Sequence, residues 1–286
     1  MVQGRRVGPE ELALIQECLQ AHPSWNRTRL SQELCGWWNW RNQAGRLKDM
    51  ACRTLLRKLQ ARGWIVLPPP QGHADNGRRN QNLGELAHDQ SPVQGDLQSL
   101  RPLRLEPLVA GSSEVALFKF LLQRYHYLGL RNGVGQNLKY LVRDRTERPL
   151  ACLLFGSAAW QTWPRDAWIG WAAEQRHTHL HLLTNNTRFL ILPWVRVAHL
   201  GSHVLGQLAT RLSADWQHKY GHPIHLLETF VERDRFQGTC YRAAGWVRVG
   251  QTTGRSRNDR ACQLQVPTKA IYLQPLVADF RQRLRS

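Results

Sequence analysis

With 286 residues, 42% of them hydrophobic and 12 of them Trp, the chain can bury at least one full core and has room for two domains. Its 39 Lys and Arg against 21 Asp and Glu give a formal charge of +18, which predicts attraction to polyanions. No run of about eighteen apolar residues occurs, which argues against a membrane span, and the opening MVQGRRVGPEE lacks the apolar core of a signal peptide. The expectation is a cytoplasmic protein with no membrane partner. Its cysteines, Cys18, Cys35, Cys52, Cys152, Cys240 and Cys262, form no CxxC pair and no zinc spacing, so no metal is expected from them.

Residues 10–21 place Leu12, Ile15 and Leu19 at helical spacing behind Pro9. A second helix is expected over 27–38, capped by Ser24 or Asn26. A third, over 49–62, has Asp49 as its expected N-cap and Gly63 at its end. Met50, Cys52, Leu55, Leu56 and Leu59 form its apolar face, and Arg53, Arg57 and Lys58 its wet face. Residues 64–67 then read as a strand. Three helices and a strand describe a small winged helix-turn-helix domain over 1–70, with eleven Lys and Arg against five Asp and Glu. Its third helix suits a major groove, with Lys48, Arg46 and Arg41 placed for phosphates. A small helical domain that packs on protein is the alternative.

Residues 71–104 are rich in Gly, Asn, Gln and Asp and read as a flexible linker. From 105 to 286 the pattern is mixed. A helix over 113–127 precedes a hairpin of strands 138–143 and 150–155. Residues 166–175 suit a strand or a short helix. A strong strand over 188–197 contains Pro193, which demands a bulge or an edge. A long helix over 199–220, a strand over 224–231, a short helix over 237–244 and a strand over 246–250 follow, then a basic loop and a last strand over 269–273.

The stretch 225–257 concentrates the candidate chemistry. Glu228 ends a buried strand, and such a carboxylate must be paired, hydrogen-bonded or protonated. It is a candidate general base or acid, or else a buried partner for Arg188 or Arg235. Asp234 is a second candidate carboxylate, or a turn residue. Tyr241 suits proton donation, or core packing. His126 follows a helix and precedes a glycine turn, a common place for functional side chains. Asn185 and Asn186 suit a base edge, or a turn. Arg255 and Arg257, with Arg260, form a basic loop suited to phosphate.

The order strand, helix, strand, short helix, strand over 188–250 is similar to the second half of the GNAT acetyltransferase fold. That resemblance implies a bulged strand that separates from its neighbour, with Pro193 at the bulge. It implies a helix start that meets a cofactor pyrophosphate, where Arg196, Gly201 and Ser202 stand in RVAHLGS, a loose form of the usual loop. It also puts Tyr241, in YRAAGW, where the fold often has its general acid. HYLG (126–129), NLKYLVRD (137–144), LACLLFGSAAW (150–160), LLTNNTRFLILPWV (182–195), LSADW (212–216) and LLETFVERDRFQGTCYRAAGW (226–246) resemble the DruA family of bacterial proteins. That resemblance implies phage defence or a mobile-element context. The expected fold class is therefore α/β (α+β), a GNAT-like mixed sheet flanked by helices behind the winged domain.

The sequence names no cofactor. DNA, double- or single-stranded, is the expected partner, with other defence-system proteins or a transposase beside it. Three functions stay open: a GNAT-like enzyme that modifies a base or transfers a group, a metal-dependent nuclease or transposase accessory using Asp166, Glu174, Glu228 and Asp234, and a non-catalytic nucleic-acid sensor.

Overall fold

The computed structural model describes residues 7–41, 45, 47–69, 84–130, 135–254 and 266–286. The chain divides into two compact units, Met1–Asn76 and Gly77–Ser286.

The first unit contains α1 (Pro9–Ala21), α2 (Arg27–Trp37) and α3 (Asp49–Ala61). Pro9 takes the first helical position, where no amide partner is needed. The Asn26 side chain accepts from the Arg29 amide at 2.8 Å and caps α2. Lys48, not Asp49, is the N-cap of α3; Asp49 lies inside the first turn, where its carboxylate receives Arg53 at 2.6 Å. Ile15, Leu30, Leu34, Leu55, Leu56 and Leu59 close the core. Met50, expected on the apolar face of α3, is 65% exposed. It stands about 200° around the helix axis from Cys52. Nor does the expected strand over 64–67 form, since no strand partner reaches it among the described residues. Ile65 and Leu67 still turn into the core. Side chains replace the ladder: Gln16 Nε2 donates to the Trp64 carbonyl at 3.0 Å and Arg27 Nε to that of Pro68 at 2.6 Å.

The second unit runs through β1 (Val93–Gly95), α4 (Ser113–Tyr125), β2 (Asn137–Arg143), β3 (Pro149–Ser157), α5 (Trp163–Ile169), α6 (Ala173–His179), β4 (Leu183–Ile191) and β5 (Val195–Val197). It continues with α7 (Leu200–Tyr220), β6 (Leu226–Glu232), α8 (Thr239–Ala243), β7 (Val247–Gln251), β8 (Lys269–Pro275) and α9 (Phe280–Arg285). A mixed sheet takes the order β2-β3-β4-β6-β8-β7. β4 and β6 are parallel, and α7 is the crossover that parallel neighbours require. Tyr140 on β2 donates to Asp215 on α7 at 2.8 Å, so α7 covers one face of the sheet. No helix of the described residues is long and apolar enough to cross a membrane.

Several expectations shift. The segment 166–175 becomes two short helices, because Gly170 closes α5 in the left-handed region at φ +78°. The bulge in β4 lies at Thr187, which falls between the pairs Asn186–Phe155 and Arg188–Leu154. Pro193 instead ends β4, and the chain leaves the main sheet to pair β5 in parallel with β1. The Arg-rich end folds as α9, with Phe280 stacked on Trp168 and Leu284 fully buried.

The linker expected over 71–104 is not one over its described part. Val93 and Leu100 are buried in the core of the second unit, and the Val93 amide donates to the Trp194 carbonyl at 2.9 Å. A few well-placed apolar residues suffice to anchor a polar stretch. Leu100→Ala should therefore lower stability by about 2–5 kcal/mol, as a core truncation does, where a linker residue would cost nothing. Urea unfolding of the full chain measures it.

Candidate functional site

β4 and β6 pair only from Leu183–Leu226 to Asn185–Glu228. Beyond that they part, and the gap opens into a cavity of about 810 Å³. Its walls include Asn185, Phe189 and Ile191 of β4, Thr229 and Val231 of β6, His126 and Tyr127 after α4, and Phe236 to Tyr241 at the start of α8.

Two buried bonds hold the gap. Tyr241 Oη donates to Asn186 Oδ1 at 2.6 Å, and Thr229 Oγ1 donates to the Asn186 carbonyl at 3.0 Å. Asn186 Nδ2 donates in turn to the carbonyls of Leu154 and Arg188. Burial raises the Tyr241 hydroxyl above its ordinary pKa. Asn186 is thus spent inside the protein and is not free for a base edge. Asn185 differs: paired in register with Glu228, it turns its side chain to the opposite face from Asn186, and its buried Oδ1 has no hydrogen-bond partner.

His126 also lines the cavity. Its Nδ1 accepts from the Leu128 amide at 3.1 Å, which leaves the proton of the neutral ring on Nε2. Burial, with help from the Arg188 charge, lowers its pKa to about 4. Tyr127 packs on Phe236, and the Arg235 guanidinium lies 5.3 Å from the Tyr127 ring centre.

Glu228 does not face the cavity. Its Oε1 accepts from the Ala159 amide at 2.6 Å and its Oε2 from Arg165 Nη1 at 2.8 Å. Arg165 is itself fully buried and also holds Asp166 at 2.8 Å, which further accepts from Trp171 and Arg176. Burial pushes the Glu228 carboxyl above its ordinary value, and Arg165 pulls against it. The alternating faces of a strand explain the difference: Thr229 and Val231 face the cavity, and Glu228 faces α5. Asp234 stands exposed in the turn after β6, outside the cavity. Arg165 escaped the sequence reading. A charged pair inside the Trp-rich WPRDAW was the signal that could have found it.

The residues expected at a cofactor phosphate are not gathered. Arg196 is exposed, and Ser202 Oγ turns back to the His199 carbonyl at 3.0 Å. Around Arg196 the backbone of β5 is paired with β1. Gly201 packs its first-turn backbone against α8, where an added Cβ would meet Cys240 at 3.2 Å. In the first unit Lys48 and Arg57 are exposed, Lys58 is half-buried and Arg53 is occupied by Asp49. Arg255, Arg257, Arg260 and Arg46 lie outside the described residues.

A family model described as Druantia protein DruA matches residues 58–266. The chain belongs to the DruA family. The DruA match begins within α3 and ends before β8. No curated protein matches. Among solved structures the chain is similar to a chimera of Vibrio cholerae spermidine N-acetyltransferase SpeG and hSSAT, at 9% identity and a TM-score of 0.41, covering 63% of this chain and 99% of that one. The Vibrio cholerae spermidine N-acetyltransferase in complex with CoA and spermine matches at 8% and 0.41, over 61% and 95%. Its dodecameric form matches at 8% and 0.40, over 63% and 97%. These likenesses are distant, and the GNAT-like description stands on the strand order and the parting of β4 from β6.

Two measurements check this site. Arg165→Met strands a buried carboxylate and should cost about 3–5 kcal/mol in urea unfolding, whereas Arg165→Met with Glu228→Leu should recover most of it. A catalytic Glu228 with no structural tie would show neither effect. For His126, the folded pKa of about 4 lies below the ordinary 6.5. Its contribution to stability is complete above pH 6.5 and is lost as pH falls through 4. NMR titration of the imidazole should show it neutral at pH 6, and thermal melts of His126→Gln should vary less between pH 4 and 6.5 than those of the parent.

Proposed function

We propose that this DruA-family protein binds nucleic acid in phage defence and holds an unpaired nucleobase in the cleft between β4 and β6. The observation that carries this reading is the cleft of about 810 Å³ walled by Phe189, Phe236 and Tyr241. The flat face of a base suits the aromatic walls. The formal charge of +18 supplies the attraction to a polyanion. In this reading the first unit docks on duplex through α3, in the manner of a winged helix-turn-helix, using Lys48, Arg57 and Lys58 on phosphates. Partner proteins of a defence system, or a transposase, would then receive the bound strand.

Base modification is the second reading, favoured by the neutral His126 in the cleft, whose Nε2–H is a donor for a base carbonyl. The metal-dependent nuclease is disfavoured because Arg165 occupies both Glu228 and Asp166.

The test is a duplex with one unpaired cytosine, compared with the same duplex carrying an abasic site there. The cytosine should bind about tenfold or more tightly, and Phe236→Ala should remove about 1–3 kcal/mol of that preference. Equal affinity for the two duplexes would sink the nucleobase reading. Mass spectrometry of the nucleosides after incubation tests the second reading, with a mass shift lost in His126→Gln as its expected sign.

A further inference from the structure

A second cavity, of about 940 Å³, lies beside the first and shares Leu128, Thr187, Arg188 and Lys269 with it. Its lining carries Lys119 of α4, Lys139 of β2, Lys269 at the start of β8 and Arg188 of β4 against one carboxylate, Glu232. Glu232 is itself engaged by Arg235 at 3.0 Å. Among the described residues, no carboxylate lies within 4 Å of the ammonium groups of Lys119, Lys139 or Lys269.

The placement is set by the strand. Tyr140 faces α7, so Lys139 projects from the opposite face, toward Lys119. Lys139 Nζ has one neutral acceptor, Asn137 Oδ1 at 2.5 Å, and Lys219 comes close enough to reach the Asn137 carbonyl at 3.0 Å. Burial, and the like charges of Lys219 and Lys119, lower the Lys139 pKa from its ordinary value. Gathering three lysines around a hollow against one carboxylate, Glu232 opposite Lys269, costs stability, and an anion offsets that cost. Gly156, without a side chain, adds no bulk to the lining.

We propose that this cavity is a phosphate subsite, in which Lys119, Lys139 and Lys269 hold the backbone of a nucleic-acid strand whose base enters the adjoining cleft. The identity of the ligand rests on the nucleobase reading above; the affinity for phosphate does not. The cavities meet at Arg188, whose Nε donates to the Gly129 carbonyl and whose Nη1 donates to that of Thr187. Its guanidinium thus stands at the passage between base and phosphate.

Fluorescein-labelled dC8 binding to the full chain, followed by anisotropy across a salt series, tests the subsite. Each phosphate engaged contributes about 0.7 to the slope of log K against log salt on a single strand. Lys119→Gln with Lys139→Gln should therefore flatten the slope by about 1.4. Lys269→Gln should flatten it independently. Removing mutually repelling lysines should leave the melting temperature equal or higher, which separates lost binding from lost folding. Parent and variants with equal slopes would overturn the subsite, even where the cytosine preference holds. A flattened slope without any cytosine preference would support the subsite and overturn the cleft reading alone. Unlabelled dCMP and inorganic phosphate serve as competitors: displacement by dCMP as effective as by unlabelled dC8 overturns the strand as occupant in favour of a free nucleotide, and displacement requiring dC8 supports the strand.

Discussion

The parting of β4 from β6 after Asn185 and Glu228 is the constraint on which the rest of the second unit depends. Two parallel strands that stop bonding leave backbone groups that must find other partners. β4 solves this on one side by staying paired with β3 around the bulge at Thr187. On the other side, Tyr241 and Thr229 take up the side chain and carbonyl of Asn186. The same bonds that satisfy Asn186 hold the wedge open, so the cavity is a product of the sheet's own hydrogen-bond accounting. α8 and the end of α4 have only to wall it.

The two collections of charge follow opposite physical rules. Arg165, Glu228 and Asp166 are out of water and saturated by one another, by Ala159, Trp171 and Arg176. Such a cluster is tied to structure, since losing any member leaves a buried charge alone. Lys119, Lys139 and Lys269 stay half-exposed around a hollow that holds one carboxylate, Glu232, opposite Lys269. The first arrangement is closed to ligands and the second is open to them. Burial of a carboxylate is accordingly a weak pointer to chemistry in this chain, and unpaired charge at a cavity wall is the stronger one.

Much of the fold was legible in the sequence, because period and punctuation are local signals. The three helices of the first unit, the hairpin of β2 and β3, and the order from β4 to β7 all follow from apolar spacing and from Gly and Pro. Contacts between distant residues were not legible. Glu228 was matched with Arg188 or Arg235, yet its partner is Arg165, 63 positions away. Val93 and Leu100 vanished into the polar average of their neighbours. The wing was inferred from β-forming residues at 64–67, whose side chains do pack inward, but a strand needs a partner that spacing alone does not supply. Asn185 and Asn186 looked equivalent, and only the face each presents separated a free acceptor from a saturated one.

Among the described residues β8 is the last strand, and it lies between β6 and β7. During synthesis, therefore, β6 and β7 emerge with one edge each facing a strand that does not yet exist. α9, which seals the Trp168 and Ile169 side of the core, comes later still. The sheet cannot close progressively from its amino-terminal side; it waits for β8 and α9. Until they arrive, two open edges and an unsealed apolar pocket make the nascent second unit a substrate for chaperones and proteases. An arrested or truncated chain would carry the cavity's walls without the strand that fixes their spacing. Only a chain that includes β8 can present both hollows at their working distance.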